Sequence, residues 1–440
     1  MNKFIFSIEK NLEAIFYIWL VLLPFPTIKI LSVGILNSGK WQYGTMGLYL
    51  TEVLFLVICI LQLIAWNKNG SIKISNLPTV RQAFFRVDRK KLILIFSVWF
   101  LAIWSGLSVI WSLDKTVALY YWLMLLVGLA LFFIVLNLKI NFQRVGLVFV
   151  ASGLIQSILA IGQFFSQSVT ANKWLGLAMH NPFDVGASVV ESHGFWLRAY
   201  GGFQSPNILG GFLAVCLIMS VFLYTKASGW QKSFFFFSLI IISAGLFFTF
   251  SRSAIISAFV GLIIFYFFAF KQKTSWRIFA PVLALIILSL VLVSFYSSLI
   301  FARVTTQTNL EKLSVAQRLT AVNQSQDIIY SHVLSGVGLG NYTYYLYEQN
   351  PNLAVNSYQP VHNLFLMIWS ELGIVGLASF LFFYFFIFLI ALKNSKSNPA
   401  SLAFLSSLFI LSCFDHYFWT QYQGIMFFWL TLALTLKKYD

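Results

Sequence analysis

The chain has 440 residues, of which 59% are hydrophobic, 18% are aromatic and only 10% are charged. This composition excludes a soluble protein, because too few charged side chains remain to cover a surface exposed to water. The formal net charge is +16, from 29 basic and 13 acidic residues. Because the basic residues are scattered over short loops, they do not form a nucleic-acid groove, and membrane lipids are the expected partner.

Apolar runs along the chain predict about twelve transmembrane helices, since a helix needs about 20 mostly apolar residues to cross about 30 Å of hydrocarbon. The last two runs are short for a span. In chain order the predicted spans are 12–35, 46–66, 92–112, 117–138, 145–164, 206–225, 233–250, 254–270, 279–300, 361–392, 400–414 and 424–436. We therefore predict an all-α polytopic integral membrane protein, with residues 1–440 forming a single transmembrane domain.

The placement of lysine and arginine predicts how the chain is oriented. Of the 29 basic residues, 20 fall at the two termini and in alternate loops, seven of them in residues 67–91. Because basic residues are retained on the cytoplasmic side, both termini are predicted to be cytoplasmic. All five histidines then lie on the extracytoplasmic side, which suggests chemistry there because histidine transfers protons near neutral pH. They are His180, His193, His332, His362 and His416.

Two predicted extracytoplasmic loops, 165–205 and 301–360, are long enough to build a site. In the longer loop, between spans 9 and 10, the pattern of residues 314–336 predicts an amphipathic helix along the membrane interface, with Ser314 and Gln317 as its capping box. Arg318 would lie in the first turn, at the depth of lipid phosphates. A surface arginine that reaches towards water is the alternative. The GVGLG run that ends at residue 340 is expected to end the helix and turn the chain.

Two more arginines stand at the ends of apolar runs. Arg252 lies between two such runs with no obvious carboxylate at the span ends, and an arginine at hydrocarbon depth costs about 2.5–3.5 kcal/mol, so an anionic ligand is a plausible partner. Arg198 comes before Gln204 and a helix start at Pro206 and Asn207. A helix N-terminus beside an arginine suits an anion, although these are also ordinary helix-start residues.

His362 lies where the long loop re-enters the membrane, and Asn363 follows it. This position suits a general base, with Asn363 available to orient the ring or to bind sugar. The alternative is a histidine whose hydrogen bonds are satisfied at an ordinary helix start.

Five motifs occur in a definite order along most of the chain: WSLD at 111–114, RAYGGFQSPN at 198–207, FSRSA at 250–254, QRL with GVGLGNY within 317–342, and HN with ELGIVGL within 362–377. Each motif is weak alone. Set on a twelve-span frame with a long outer loop before span 10, the ordered set resembles the bacterial O-antigen ligase and O-antigen polymerase family of membrane glycosyltransferases.

The resemblance implies that the protein transfers an undecaprenyl-pyrophosphate-linked glycan to the hydroxyl of a lipid- or glycan-linked acceptor. It implies a site in the bacterial cytoplasmic (inner) membrane that faces the periplasm or the cell exterior. Arg252 and Arg318 would hold the pyrophosphate, and His362 would be the general base. Arg198 matches an arginine more typical of polymerases, so ligase and polymerase both stay open, as does the arginine that pairs with Arg252. Further substrate-binding candidates are Gln204, Asn207 and Asn363.

Elementary chemistry agrees with these roles, because a departing diphosphate needs positive charge and an attacking hydroxyl needs a base. The guanidinium fork of arginine matches phosphate oxygens. No outer loop has two acids at Asp-x-Asp spacing. We therefore predict a reaction without metal or cofactor. The acids expected in supporting roles are Asp114, Asp184, Glu191, Glu348, Glu371 and Asp415.

A twelve-helix transporter is the alternative from another class of function. Its long loop would be expected inside the cell at the middle of the chain, whereas here the long loop falls outside between spans 9 and 10. Coupled transporters usually carry ionisable groups within their spans. The predicted spans are nearly free of such groups, with Glu52 and Glu371 as the main exceptions.

Overall fold

A computed structural model of the protein describes residues 2–68, 89–138, 140–270, 278–305, 307–395 and 398–437. Much of the basic loop at 67–91, on which the predicted orientation partly rests, lies outside these residues. The described helices are α1 Asn2–Leu22, α2 Leu50–Lys68, α3 Arg89–Leu107, α4 Lys115–Asn137, α5 Phe142–Ser166, α6 Pro206–Lys226, α7 Gly229–Phe248, α8 Arg252–Ala269, α9 Phe279–Phe295, α10 Ser297–Thr305, α11 Asn309–Ser331, α12 Tyr342–Gln349, α13 Leu364–Asn394, α14 Pro399–Phe414, α15 Tyr417–Thr420 and α16 Tyr422–Leu436.

The prediction of an all-α polytopic membrane protein is confirmed. Among the described residues, seven helices are long and apolar enough to cross a membrane, and an eighth span is possible if the bent pair Phe279–Phe295 and Ser297–Ser331 is counted as one. Four shorter apolar helices accompany them, Asn11–Leu22, Leu50–Ala65, Pro399–Phe414 and Tyr422–Leu436. An apolar helix therefore overlaps each of the twelve predicted spans, although it covers the first of them only as far as Leu22.

The first predicted span is wrong beyond Leu22. Helix α1 ends there, because Pro24 and Pro26 cannot continue the hydrogen-bond ladder of a helix. The chain then forms two antiparallel strand pairs in place of the short turn expected there. Strand β1 (Ile28–Ser32) pairs with β4 (Met46–Tyr49), and β2 (Ile35–Leu36) pairs with β3 (Gly39–Lys40).

This strand region, residues 28–49, lies at the same end of the helical bundle as the two long loops. The Asn37 amide donates to the carbonyl oxygen of Leu353 at 2.9 Å, and Trp41 Nε1 donates to Thr343 Oγ1 at 3.1 Å. A third strand pair, β5 (Val189–Glu191) with β6 (Phe195–Leu197), meets the long loop where Glu191 accepts from the amide of Leu310 at 3.0 Å. We call this end, built from residues 28–49, 165–205 and 301–360, the loop face.

Helix α6 forms the centre of the bundle. Its apolar stretch is completely buried inside the protein. No other candidate membrane span in the described part of the chain is buried to the same extent. Helices α5, α7, α8 and α14 pack against it. Its N-terminus lies on the loop face and follows the segment that carries Arg198 and Gln204. This end of the central helix therefore contributes to any site built there.

The predicted capping box at Ser314 and Gln317 is wrong. Helix α11 begins earlier, at Asn309, and its cap is Thr308, whose Oγ1 accepts from the amide of Glu311 at 3.4 Å. Thr308 and Glu311 form an earlier Thr-x-x-Glu pattern, which is the equivalent start signal. Arg318 therefore lies in the third turn and not in the first. The segment Ser297–Ser331, which ends with this helix, bends away from α9 by 85°.

The glycine-rich run turns the chain as predicted, but it does not end the helix, which stops five residues before it. Helix α11 ends at Ser331, and Gly336, Gly338 and Gly340 all have positive φ. The run docks on a break in α13 at Gly373, whose φ of 66° is also left-handed. The amide of Gly338 donates to the carbonyl oxygen of Glu371 at 2.8 Å, so the long loop is fastened to the helix that begins beside His362.

Candidate active site

Three titratable side chains meet where α13 begins and α14 ends. His362 comes just before the N-cap of α13, and Asp415 and His416 form the link between α14 and α15. The imidazole Nδ1 of His362 lies 3.7 Å from Asp415 Oδ1, and His416 Nε2 lies 4.0 Å from the same oxygen. The two imidazole centroids are 5.1 Å apart. The group brings the predicted base together with a carboxylate and a second histidine.

Asn363 fixes the position of this group. Its Oδ1 accepts from the amides of Phe365 and Leu366 at 2.9 and 3.0 Å, which caps α13, and its Nδ2 donates to the carbonyl oxygen of Cys413 at 3.0 Å. The amide therefore joins the segment of His362 to the turn that carries Asp415. With both ends engaged, Asn363 holds the segment of His362 in place.

Asp415 is the central group of the site. Its Oδ1 accepts from the amide of His416 at 2.9 Å, and its Oδ2 accepts from Asn207 Nδ2 at 2.9 Å. Burial favours the neutral acid, but the charges of His362 and His416 and the hydrogen bond from the His416 amide hold the pKa of the Asp415 carboxyl well below its usual range. Asp415 is therefore a carboxylate at neutral pH. It faces the Nδ1 atom of His362, which is buried and makes no hydrogen bond within the described part of the chain.

His416 is a neutral histidine in the folded protein. Burial lowers the pKa of its imidazole to about 4, an effect that Asp415 opposes and His362 reinforces. Its Nδ1 lies 2.7 Å from Thr420 Oγ1. The side chain of His362 is 35% exposed, whereas the His416 side chain is 9% exposed, so His362 is the histidine that a substrate can reach.

A cluster of arginines adjoins this group. Arg303 of α10 forms an ion pair with Glu311 of α11, and Arg252, the first residue of α8, lies 3.3 Å from the same carboxylate. Arg252 Nη1 also donates to the carbonyl oxygen of Arg303 at 2.6 Å. The expectation that Arg252 lacks a carboxylate partner is therefore wrong, because Glu311 reaches it from a different helix. Sequence reasoning missed both Arg303 and Glu311 as site residues.

Arg198 is connected to Asp415 by a chain of hydrogen bonds. It is 8% exposed, its Nε donates to the carbonyl oxygen of Thr249 at 2.7 Å, and its Nη2 donates to Asn207 Oδ1 at 2.7 Å. Asn207 in turn donates to Asp415. Burial, together with the charge of Arg303, lowers the pKa of Arg198 to about 9, which still leaves it charged at neutral pH. Asn207 therefore links Arg198 to Asp415, the carboxylate that faces His362.

Arg318 differs from the other three arginines. It is half-buried on α11 and interacts electrostatically with Asp415 and Arg252. No hydrogen bond or ion pair engages its guanidinium within the residues that the structure describes. The four arginines thus face only the carboxylates of Glu311 and Asp415 among the described residues, and one of the four has all its donors available. Such an arrangement is suited to an anion with several oxygens.

The remaining predicted residues lie elsewhere on the loop face. Gln204 is exposed and lines a neighbouring cavity. Asp114 caps α4 by accepting from the amides of Thr116 and Val117, each at 2.9 Å. Glu371 is buried and accepts from Trp419 Nε1 at 2.8 Å. Of the six acids predicted in supporting roles, Asp415 is the one that lies beside His362 and His416. Sequence reasoning had named it as one of six supporting candidates.

The pair of histidines and Asp415 is also a ligand set of the kind that binds metal ions. Their ligand atoms all lie within 4.8 Å of one another. Two imidazoles and one carboxylate are typical of catalytic zinc sites. The prediction of metal-independent chemistry was made from carboxylate spacing and did not foresee this group. The adjoining arginine cluster opposes the binding of a cation, and the second oxygen of Asp415 is engaged by Asn207.

Comparison with protein families identifies the segment that carries much of this site. The family model described as O-antigen ligase matches residues 237–381. The matched segment holds Arg252, Arg303, Glu311, Arg318 and His362, whereas Arg198, Asn207 and Asp415 lie outside it. A search of the curated proteins finds no match to the chain. The predicted resemblance is thus confirmed through residues 237–381.

Proposed function

Because residues 237–381 match the O-antigen ligase family, we propose that this membrane protein transfers a glycan from an undecaprenyl-pyrophosphate donor to an acceptor hydroxyl. The match supports ligase- or polymerase-like activity and a glycosyltransferase role. The observation that carries the detailed proposal is the position of Asp415. One of its oxygens faces His362, and the other is bonded through Asn207 to Arg198, so a base and an anion site form one connected unit.

His362 is the general base of the proposed reaction. A proton on Nδ1 points towards the Asp415 carboxylate, which stabilises that tautomer and leaves Nε2 free to accept a proton. The distance of 3.7 Å is too long for a hydrogen bond and would shorten when substrate closes the site. Nε2 removes the proton of the acceptor hydroxyl as its oxygen attacks the anomeric carbon. Asp415 stabilises the imidazolium that results.

The arginines stabilise the leaving group. As the new glycosidic bond forms, the bond between the anomeric carbon and the pyrophosphate oxygen breaks, and negative charge grows on the departing undecaprenyl diphosphate. Arg318 has unengaged donors for these oxygens, and Arg252 and Arg303 are held beside it by Glu311. Preorganised positive charge in a partly buried site lowers the barrier more than the same charge in water would. No metal ion is needed for this step.

The proposed location is the bacterial inner membrane, with the loop face towards the periplasm or cell exterior. This orientation follows from the distribution of basic residues along the sequence. The polyprenyl chain of the donor would lie among membrane lipids, while its pyrophosphate meets the arginines at the end of the helices. The acceptor, lipid- or glycan-linked, would approach from the aqueous side.

A polymerase of the same family is the second candidate function. The observation that favours it is the bonded pair of Arg198 and Asn207, which falls in the stretch that resembles the polymerases. The two functions share one reaction and differ in the acceptor, because a polymerase adds repeat units to another lipid-linked glycan. A transporter is disfavoured by the family match and by the engagement of buried Glu371 with Trp419 and backbone amides.

Reconstitution tests this proposal. The purified chain in proteoliposomes would receive an undecaprenyl-pyrophosphate glycan and candidate acceptors, and the products would be separated by length on a gel. One addition per acceptor indicates a ligase, and a ladder indicates a polymerase. The His362→Ala variant serves as the negative control. Absence of any transfer over a broad set of donors and acceptors would contradict the proposal.

A further inference from the structure

A cavity of about 530 Å³ opens on the loop face beside the histidines. It is enclosed by the strand region, the first turns of α4, the loop before α6 and the start of α16. Drug-sized and cofactor ligands typically occupy pockets of about 300–1,000 Å³, so the cavity is large enough for a small organic ligand. Neither the proposed base nor the arginine cluster lines it.

The lining of this cavity is rich in aromatic side chains and has little charge. Six tyrosines contribute to it, namely Tyr43, Tyr49, Tyr120, Tyr121, Tyr200 and Tyr422. Several of their hydroxyls are engaged by the fold, as where Tyr120 donates to the carbonyl oxygen of Gly47 at 3.1 Å. Lys40 is the one charged side chain among the described residues of the lining. A ligand with apolar faces and many neutral polar groups suits this surface.

Glutamine side chains supply the polar groups that remain available. Gln42, Gln204 and Gln421 line the cavity, and the first two are exposed. In the described part of the chain, no hydrogen bond engages the side-chain amides of Gln42 and Gln421. Each amide can donate and accept at once, as the hydroxyls of a sugar require.

His416 lies between the cavity and the proposed base, His362. Thr420 lines the cavity, and its Oγ1 lies 2.7 Å from His416 Nδ1. The ring of Tyr43, another lining residue, meets the His416 ring edge-on with centroids 6.1 Å apart. His416 in turn lies 5.1 Å from His362. A ligand in the cavity is therefore separated from the base by a single buried side chain.

We infer that this cavity binds an uncharged part of the acceptor saccharide, from which the part that carries the reacting hydroxyl extends past His416 to His362. The inference rests on the proposed function. The donor sugar is attached to the pyrophosphate and must approach His362 from the arginines, whereas the cavity approaches from the side of His416. Tyrosine rings would stack on the apolar faces of the sugar, and the glutamine amides would bind its hydroxyls.

The test measures saccharide binding without donor and without turnover. Saturation-transfer difference NMR on the purified full chain would use maltotriose and chitotriose as neutral probes and trigalacturonic acid as the acidic probe. The Gln204→Trp variant places a bulky ring in the cavity from an exposed loop position. Its matched control is Gln231→Trp, at an exposed glutamine of a different cavity near Asn141 and Lys226.

We expect a neutral probe to bind the wild type, and Gln204→Trp to weaken this binding at least tenfold. Gln231→Trp should bind as the wild type does. Equal binding by Gln204→Trp, binding of none of the probes, or binding of the acidic probe alone would overturn the inference. Size-exclusion profiles and thermal unfolding confirm that each variant is folded.

The two proposals fail in different ways. If the neutral probe binds the cavity but no glycan transfer is ever observed, the proposed function is wrong and the saccharide site stands. If transfer occurs and Gln204→Trp leaves the acceptor KM unchanged, the proposed function stands and the acceptor cavity is wrong. We expect Gln204→Trp to raise the acceptor KM at least tenfold, with the donor KM unchanged.

Discussion

Asp415 and His362 lie at the ends of two different helices, yet their carboxylate and imidazole atoms face each other at 3.7 Å. The Nδ1 atom of His362 is buried and unbonded in the described residues, so the carboxylate is the one group placed to receive its proton. In the proposed reaction this relationship orients His362 as the base.

The first prediction concerns this pair. His362→Gln and Asp415→Asn should each lower turnover by about 10²–10⁴, because a positioned general base typically contributes that much. The double variant should be little worse than either single one, since the two residues act as a unit. Steady-state transfer assays measure the rates, and donor binding should stay intact in His362→Gln. Retention of more than about a tenth of the activity by His362→Gln would place the residue in the scaffold.

The second prediction concerns the arginines. Arg252→Ala and Arg318→Ala should abolish transfer and weaken donor binding. Arg318→Lys should rescue poorly, because a point charge does not reproduce a bidentate contact with phosphate oxygens. Lys312→Ala is the matched control, since it removes an exposed cation from the same helix. Near-normal turnover in both Arg252→Lys and Arg318→Lys would reduce their role to general surface charge.

The third prediction is a loss of stability in mild acid. The folded pKa of His416 is lowered to about 4, whereas an unfolded histidine has a pKa of about 6.5. Between these values the unfolded chain binds more protons than the folded chain, so stability falls as the pH drops from about 6.5 to 4. Asp415 adds nothing in this window, because its stabilisation is lost only below the carboxyl pKa of the unfolded chain, about 3.9.

Thermal unfolding in detergent between pH 4 and 7 measures this effect. The dependence of the unfolding midpoint on pH should be smaller in His416→Asn than in the wild type. A full contribution would be on the order of 3 kcal/mol, reduced wherever water reaches the site. Identical pH dependence in the two proteins would mean that His416 becomes protonated without unfolding.

The fourth prediction tests whether the group of His362, Asp415 and His416 acts as a base or binds a metal ion. Transfer should be unchanged in EDTA, because the proposed mechanism places the positive charge in arginines. The purified protein should also carry less than stoichiometric zinc by elemental analysis. If chelation abolished transfer and zinc restored it, the group of His362, Asp415 and His416 would be a metal site.

The fifth prediction concerns orientation. In a background without native cysteines, Gln349→Cys should react with an impermeant thiol reagent added to intact cells, and Ser228→Cys should not. Both positions are exposed in the structure. They lie on opposite faces if the basic loops are cytoplasmic. Labelling of Ser228→Cys from outside would overturn the proposed location of the loop face.

The sequence alone was enough to predict the helices of this protein. A run of apolar residues near the length of a bilayer is a local property of the sequence. An apolar helix therefore overlaps each predicted span. Local signals failed where two of them competed, as at Thr308 and Ser314, which are both plausible caps in front of α11. The strand region was missed because the pairing of short strands depends on partners that lie farther along the chain.

The site required the tertiary structure. His362, Arg252 and Arg318 could be named in advance, because a histidine or arginine beside an apolar run is unusual wherever the chain goes next. Their partners could not be named, since Glu311 reaches Arg252, and Asn207 reaches Asp415, across helices that are distant in sequence. Each polar contact joins side chains brought together by the packing of apolar helices. The identity of the reactive groups is therefore local information, whereas their connection into one site is decided by the fold.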